Sequence, residues 1–258
     1  MSVMREWILW GTRFFTGACI FHFLKRIICC LSVGGGMVRD TKYCPACCKI
    51  LSEKWNSYTN SPFQRRKCSH GGSKIVKQYF FWESLGGIAF VYCGAFFDCG
   101  EVTFLSLKGG IAFAYISILT IVAGIDWNTR VIYDRFHIGI LFLGMLSMSL
   151  YVERGISERF LGMVIVAFPM LILSLLVKGA FGGGDIKLMA SSGFLLGWRG
   201  ILVATVLGLM IGGIYCTWML FRGKAGRKDH FALGPFLSIG LAVAYFYGDV
   251  LVKWYLLF

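Results

Sequence analysis

Charge is scarce in this 258-residue chain. Asp, Glu, Lys and Arg together make up 15% of it, against 57% hydrophobic residues. That excludes an ordinary soluble domain and points to a chain that lives in a bilayer. Acid is scarcer still, with 13 Asp and Glu against 26 Lys and Arg, for a formal net charge of +13. The basic excess does not argue for nucleic acid, because no soluble domain exists to carry a basic face. In a membrane protein such residues gather in cytoplasmic loops and set orientation. Also missing is a small-residue cleavage site after the first apolar stretch, Trp7 to Leu24. The basic pair Lys25-Arg26 follows that stretch instead of preceding it. A signal peptide is thus disfavoured, and a retained helix is expected in spite of Arg13.

What is present is a series of apolar runs. After Trp7–Leu24 comes a polar segment, residues 25–78. Seven more runs follow: Tyr79–Phe97, Gly109–Ile125, His137–Tyr151, Phe160–Val177, Ile186–Trp198, Ile201–Phe221 and Phe231–Tyr247. A crossing helix needs about 20 residues, so the runs at His137 and Ile186 are short, and the second suits a tilted or partly re-entrant helix. The expected fold is an all-α polytopic membrane protein of about eight transmembrane helices. Residues 1–24 supply the first helix, 25–78 a loop, and 79–258 a seven-helix core. Most Lys and Arg fall on the side of that loop: Arg130 and Arg135, Lys178 and Lys187, and Arg222, Lys224, Arg227 and Lys228 join those of the loop itself. Only Arg5, Arg13, Lys108, Arg154, Arg159, Arg199 and Lys253 fall elsewhere. The basic side is cytoplasmic and both termini face outward.

This topology brings two acids to one face. Asp126 ends an apolar run after Gly124-Ile125. Asp185 follows Gly182-Gly183-Gly184. The glycines let backbone approach a substrate strand or a neighbouring helix. A helix starting there would place Asp185 in its first turn, where the dipole favours a carboxylate. Two carboxylates a few ångströms apart share a proton, which supplies a base to activate water and an acid for a leaving amine. From pattern alone, two solvated helix caps explain the acids equally well. Asp134 reads as a solvated or supporting group.

Ten cysteines are many. Cys19, Cys93, Cys99 and Cys216 lie in or beside apolar runs and read as small hydrophobes. Cys44, Cys47, Cys48 and Cys68 share the polar loop. In a reducing cytoplasm a metal site there is favoured over disulfides. His22, His137 and His230 read as interfacial or structural.

The segment Phe181-Gly182-Gly183-Gly184-Asp185-Ile186-Lys187-Leu188 resembles the GxGD motif of bacterial type IV prepilin peptidases. The segment from Gly124 through Asp126 to Asp134 resembles that family's first catalytic-aspartate segment, although Tyr133 stands where a Pro is usual. Thr16-Gly17-Ala18 through Lys25-Arg26, Cys44-Pro45-Ala46-Cys47, Phe80-Phe81-Trp82-Glu83 and Phe231-Ala232-Leu233-Gly234-Pro235-Phe236-Leu237 match further landmarks in order. The resemblance covers nearly the whole chain. It implies an inner-membrane enzyme that cuts the basic leader from prepilins and pseudopilins at the cytoplasmic face. It also implies N-methylation of the new N-terminus with S-adenosylmethionine, although no glycine-rich cofactor fingerprint follows a strand. Asp126 and Asp185 would carry the cleavage. Members with two CxxC pairs suit tetrahedral zinc. Here Gly71 replaces the last Cys, leaving Cys44, Cys47 and Cys68 with Cys48 or His70, or else a decayed site. The remaining basic charge serves topology and anionic lipid. Two other readings stay open. One is a small transporter or channel with the acids as cation ligands, which their place at one face disfavours. The other is a preflagellin-type aspartyl peptidase.

Overall fold

The computed structural model describes residues 2–32, 75–97, 106–151, 155–177, 181–222 and 232–256. Among them the chain forms seven α-helices and no strand. They are α1 (Ser2–Ser32), α2 (Ile75–Phe97), α3 (Leu107–Thr129), α4 (Asp134–Met148), α5 (Ile156–Leu176), α6 (Gly183–Phe221) and α7 (Gly234–Leu256). Every apolar run of the sequence lies in a helix or overlaps one. This is the expected outcome in hydrocarbon, where a segment must satisfy its own backbone. Four helices, α3, α5, α6 and α7, are long and apolar enough to cross a bilayer, and α2 holds a shorter apolar stretch, Trp82–Phe97.

Three boundaries differ from the hydropathy reading, the first being α2, which starts at Ile75 inside the segment read as loop. Helix α1 continues past Lys25-Arg26 to Ser32, because Lys25 is buried rather than solvated and does not end the helix. The runs Ile186–Trp198 and Ile201–Phe221 form two helical arms of α6 that join at a break at Gly197, two residues before the gap between the runs at Arg199-Gly200. At Gly197 φ is +78° and ψ 173°, a conformation that only glycine adopts without strain.

The chain divides into two compact units, Met1–Phe113 and Ala114–Phe258, with the boundary inside α3. In the first unit α1 packs on α2. Its core includes Phe21, Phe90 and Phe113, with the Phe90 and Phe113 rings edge to face at 4.6 Å. Arg13 is buried in this unit because Gly94 leaves room for it: a Cβ at 94 would lie 2.7 Å from the guanidinium. His22 Nδ1 and Glu83 Oε1 pair at 2.8 Å, half-exposed.

The second unit is built around α6, which packs against α4, α5 and α7. Helices α5 and α6 meet backbone to backbone at Gly162 and Gly193, where either Cβ would collide with the other chain segment. Arg159, in the first turn of α5, is fully buried. Its Nη1 donates to Ser147 Oγ at 2.9 Å, to the Gly144 carbonyl at 3.3 Å and to the Phe194 carbonyl at 3.4 Å, and its Nη2 donates to the Ser147 carbonyl at 3.4 Å. These acceptors lie in the last turns of α4 and in the turn before the break at Gly197. Helix ends leave carbonyls without intrahelical donors, and a guanidinium with five N–H groups serves several at once. One buried cation thus secures two helix ends. Phe160, Leu161, Val164, Phe168, Leu171 and Leu175 leave a broad exposed apolar face on α5, as a lipid-facing helix requires.

Candidate active site

Asp126 occupies the last turn of α3, where the helix dipole disfavours a carboxylate. The fold compensates with the start of α7. The Gly234 amide donates to Asp126 Oδ2 at 3.0 Å. Asp126 therefore faces a helix N-terminus supplied by a segment 108 residues away. Gly234 is required for this approach, because a Cβ there would lie 2.6 Å from the same oxygen.

Asp185 lies in the first turn of α6, as the triple glycine predicts, with Gly182 as the N-cap. Its carboxylate folds back onto the Gly182 amide. An acid at the third helical position reaching the N-cap amide is half of a capping box. Oδ1 of Asp185 is buried with no hydrogen-bond partner. Asp126 and Asp185 are 6% and 9% exposed and lie within electrostatic reach of one another. Two separate helix ends, α3 and α6, thus hold two neighbouring acids largely out of water.

The segment between α3 and α4 lies across the start of α6. Arg130 adopts a left-handed conformation, φ +56°, which reverses the chain after α3. Ile132 packs on Gly184, where a Cβ would come within 2.9 Å of the Ile132 Cβ. Lys187 Nζ donates to Asp134 Oδ1 at 2.7 Å, with both side chains largely exposed. This hydrogen bond, with the lysine's charge behind it, holds the Asp134 carboxyl below its ordinary pKa. Asp134 accordingly does not join the pair of acids; it ties α4 to α6. His137, one turn further along α4, is buried.

The three glycines have different surroundings. Gly184 makes room for Ile132, and Gly182 lies against the Asp185 carboxylate. Only Gly183 opens onto free space. Gly182 and Gly183 are both exposed beside the buried Asp185. Next to Asp126, an aromatic patch of Trp127, Tyr215, Trp218 and Phe236 surrounds the start of α7, with the Arg222 guanidinium 4.3 Å from the Trp218 ring centre. Trp and Tyr are the side chains enriched where a membrane meets water.

The role of the Gly234 amide was missed by sequence reasoning, which found the Phe231–Leu237 stretch only as a landmark. Arg159 was likewise counted only as a charge on the minority side. Cys44, Cys47, Cys48, Cys68 and His70 lie outside the described residues. Among the described residues no group of three or more His, Cys, Asp or Glu side chains could hold a metal.

Residues 113–217, which include Asp126 and Asp185, match the model of the type IV leader peptidase family. The whole chain is similar to a prepilin leader peptidase/N-methyltransferase of Bacillus subtilis (strain 168). The two are 27% identical over 247 residues, covering 94% of this chain and 96% of the relative. A protein of the same name from Legionella pneumophila is 27% identical over 251 residues, covering 92% and 82%. One from Xanthomonas campestris pv. campestris is 27% identical over 199 residues, covering 75% and 67%. No solved structure matches the chain. Over residues 113–217, the part that holds Asp126 and Asp185, the chain is therefore similar to the type IV leader peptidase family.

Proposed function

We propose that this protein removes the leader peptide of type IV prepilins or pseudopilins and methylates the N-terminus so exposed. The observation that carries the proteolytic half is that Asp126 and Asp185 are both buried, at the ends of α3 and α6, within electrostatic reach of one another. Relatives named prepilin leader peptidase/N-methyltransferase favour this reading over a cation transporter or a preflagellin-type peptidase.

Hydrolysis needs one carboxylate to take a proton from water while the water oxygen adds to the scissile carbonyl. The second acid then gives a proton to the departing amine as the C–N bond breaks. Asp126 and Asp185 are the two groups assigned to these roles. The Gly234 amide holds Asp126 in place, and Gly182 and Gly183 form the border across which the substrate backbone approaches. Lys187 belongs to the support of the site through Asp134, not to the reacting atoms.

S-adenosylmethionine, as methyl donor, supplies an electrophilic methyl group for the second activity. The described residues show no glycine-rich loop after a strand to cradle it, and no methyl-transfer step is assigned to them. Zinc on Cys44, Cys47 and Cys68, with Cys48 or His70, is part of the same proposal and concerns the segment between α1 and α2. The topology we infer has eight crossings in the bacterial inner membrane, counting the two arms of α6 separately. It has periplasmic termini, a cytoplasmic Cys-bearing loop, a core over 79–258 and a site facing the cytoplasm. The excess of Lys and Arg on that side supports it, as does the aromatic patch beside Asp126. A prepilin, with a charged leader outside the bilayer and an apolar helix within it, would present its scissile bond at this level. Anionic lipid would meet the basic face.

The test is incubation of the protein in lipid with a prepilin, with and without S-adenosylmethionine, read by the mass of the product's N-terminal fragment. Loss of the leader, followed by a gain of one methyl only when the donor is present, supports the proposal. An intact precursor would overturn it.

A further inference from the structure

The ends of α3 and α6 and the start of α7 bring four aromatic rings together beside Asp126. Trp127 follows Asp126 directly on α3. Tyr215, Trp218 and Arg222 are spaced three and four residues apart and so share one face at the end of α6. Phe236 lies two residues after Gly234, whose amide holds Asp126. Tyr215 is the hub: its ring centre is 6.0 Å from that of Trp127, 6.2 Å from Trp218 and 5.0 Å from Phe236. Phe236 is buried, whereas Trp127 and Trp218 are 55% and 46% exposed. An interfacial belt spreads such rings around a molecule; here three helix ends gather them next to one acid.

One of these rings already holds a cation. The Arg222 guanidinium lies 4.3 Å from the Trp218 ring centre, well inside cation–π range. Trp127 is more exposed, and no cation among the described residues lies over it. Carboxylates have other work here. Among the described residues at this end of the second unit the acids are Asp126, Asp134 and Asp185. Asp134 is bonded to Lys187, and the other two are the proposed reacting pair. With a net charge of +13, the chain as a whole does not draw a cationic peptide toward it. Aromatic faces attract cations through the ring quadrupole and place no further negative charge beside the two acids, whose ionisation it would oppose.

We infer that Trp127, Tyr215 and Trp218 form a subsite for cationic side chains of the substrate's leader, the part that stays outside the bilayer. The inference rests on the peptidase reading and adds specificity-determining residues to it. Trp127 takes an incoming Lys or Arg on its open face, and a second displaces Arg222 from Trp218. Tyr215 and Phe236 hold the two indoles in position. The leader is thereby held by rings next to Asp126 while the bond to be cut reaches the acids.

Binding of a prepilin's free leader peptide, which has no bond left to cleave, tests it on the intact protein in nanodiscs of neutral lipid. The comparison peptide carries Gln at every Lys and Arg, and high salt screens the chain's own basic residues. The parental protein should bind the cationic peptide several-fold more tightly. Trp127→Leu and Trp218→Leu should each cut that preference about two- to fivefold, while Trp218→Tyr keeps most of it. Trp254→Leu, at the far end of α7, should leave it unchanged. Equal binding of the two peptides by the parental protein overturns the proposal. So do Trp127 and Trp218 variants that keep the preference or weaken both peptides alike. Cleavage of the full prepilin is measured separately. Cleavage without a leader preference sinks the subsite and leaves the peptidase reading standing, whereas a ring-dependent preference without cleavage sinks the peptidase reading alone.

Discussion

The Gly234 amide and the Asp126 carboxylate meet at 3.0 Å, and the space between them admits no side chain. The start of α7 is therefore part of the candidate site, although its residues carry no reactive group. Gly234→Ala would push a methyl group into Oδ2 and move Asp126. A misplacement of about 1 Å can cost about 100-fold in rate, so a loss of this order in single-turnover leader cleavage is expected. Gly213→Ala, where a Cβ meets nothing within 4 Å, serves as the control and should cleave at the parental rate.

Asp126→Asn and Asp185→Asn preserve shape while removing the ionisable group. Each should lower leader cleavage by about 1,000-fold or more, since a carboxamide can neither take nor give the proton. Each should leave methylation of an already cleaved pilin peptide in place. Mass measurement of both products from one preparation separates the effects, and normal processing by either variant would remove the acids from the mechanism.

Arg159→Met would leave the carbonyls of Gly144, Ser147 and Phe194 without their shared donor. Losing a buried, multiply bonded cation costs about 2–4 kcal/mol. A drop of several degrees in the unfolding midpoint is expected in mild detergent. Arg159→Lys should recover only part of it, because a single ammonium cannot span acceptors on α4 and α6. Recovery to the parental midpoint would show that charge alone suffices.

The Asp134–Lys187 pair is exposed and should behave as a surface pair. Its bond to Lys187 lowers the folded pKa of Asp134, so any stability it adds is present above the unfolded value of about 3.9 and is lost as pH falls through the folded one. A double-mutant cycle with Asp134→Asn and Lys187→Gln should show a small coupling at neutral pH. That coupling should vanish in about 1 M salt and at strongly acidic pH. Persistence in high salt would mean that the pair is shielded from solvent.

Much of this architecture was legible because a bilayer forces hydropathy and helix to coincide. The eight apolar runs correspond to helical segments, and the triple glycine announces the start of α6. Other features follow from terms that hydropathy does not measure. Helix α1 runs past Lys25 because a long side chain can be packed as well as solvated. The gap between Trp198 and Ile201 marks the break within α6, which the backbone makes at Gly197. The partner of Asp126 was visible as a charge count on one face, whereas the Gly234 amide was not, because a backbone donor leaves no mark in side-chain pattern. The metal-ligand candidates from Cys44 to His70 gain no structural support, since they lie outside the described residues.

Gly182 and Gly183 present bare, exposed backbone beside Asp185, the border we propose for the substrate's approach. A border without side chains cannot distinguish one residue of an arriving peptide from another. Choice of the cut site then falls to geometry: how deeply the substrate's apolar helix sinks before its extended end reaches the acids. On this view the bilayer serves as the ruler, and lengthening a pilin's apolar helix by one turn at its cytoplasmic end would shift the bond presented there rather than abolish recognition.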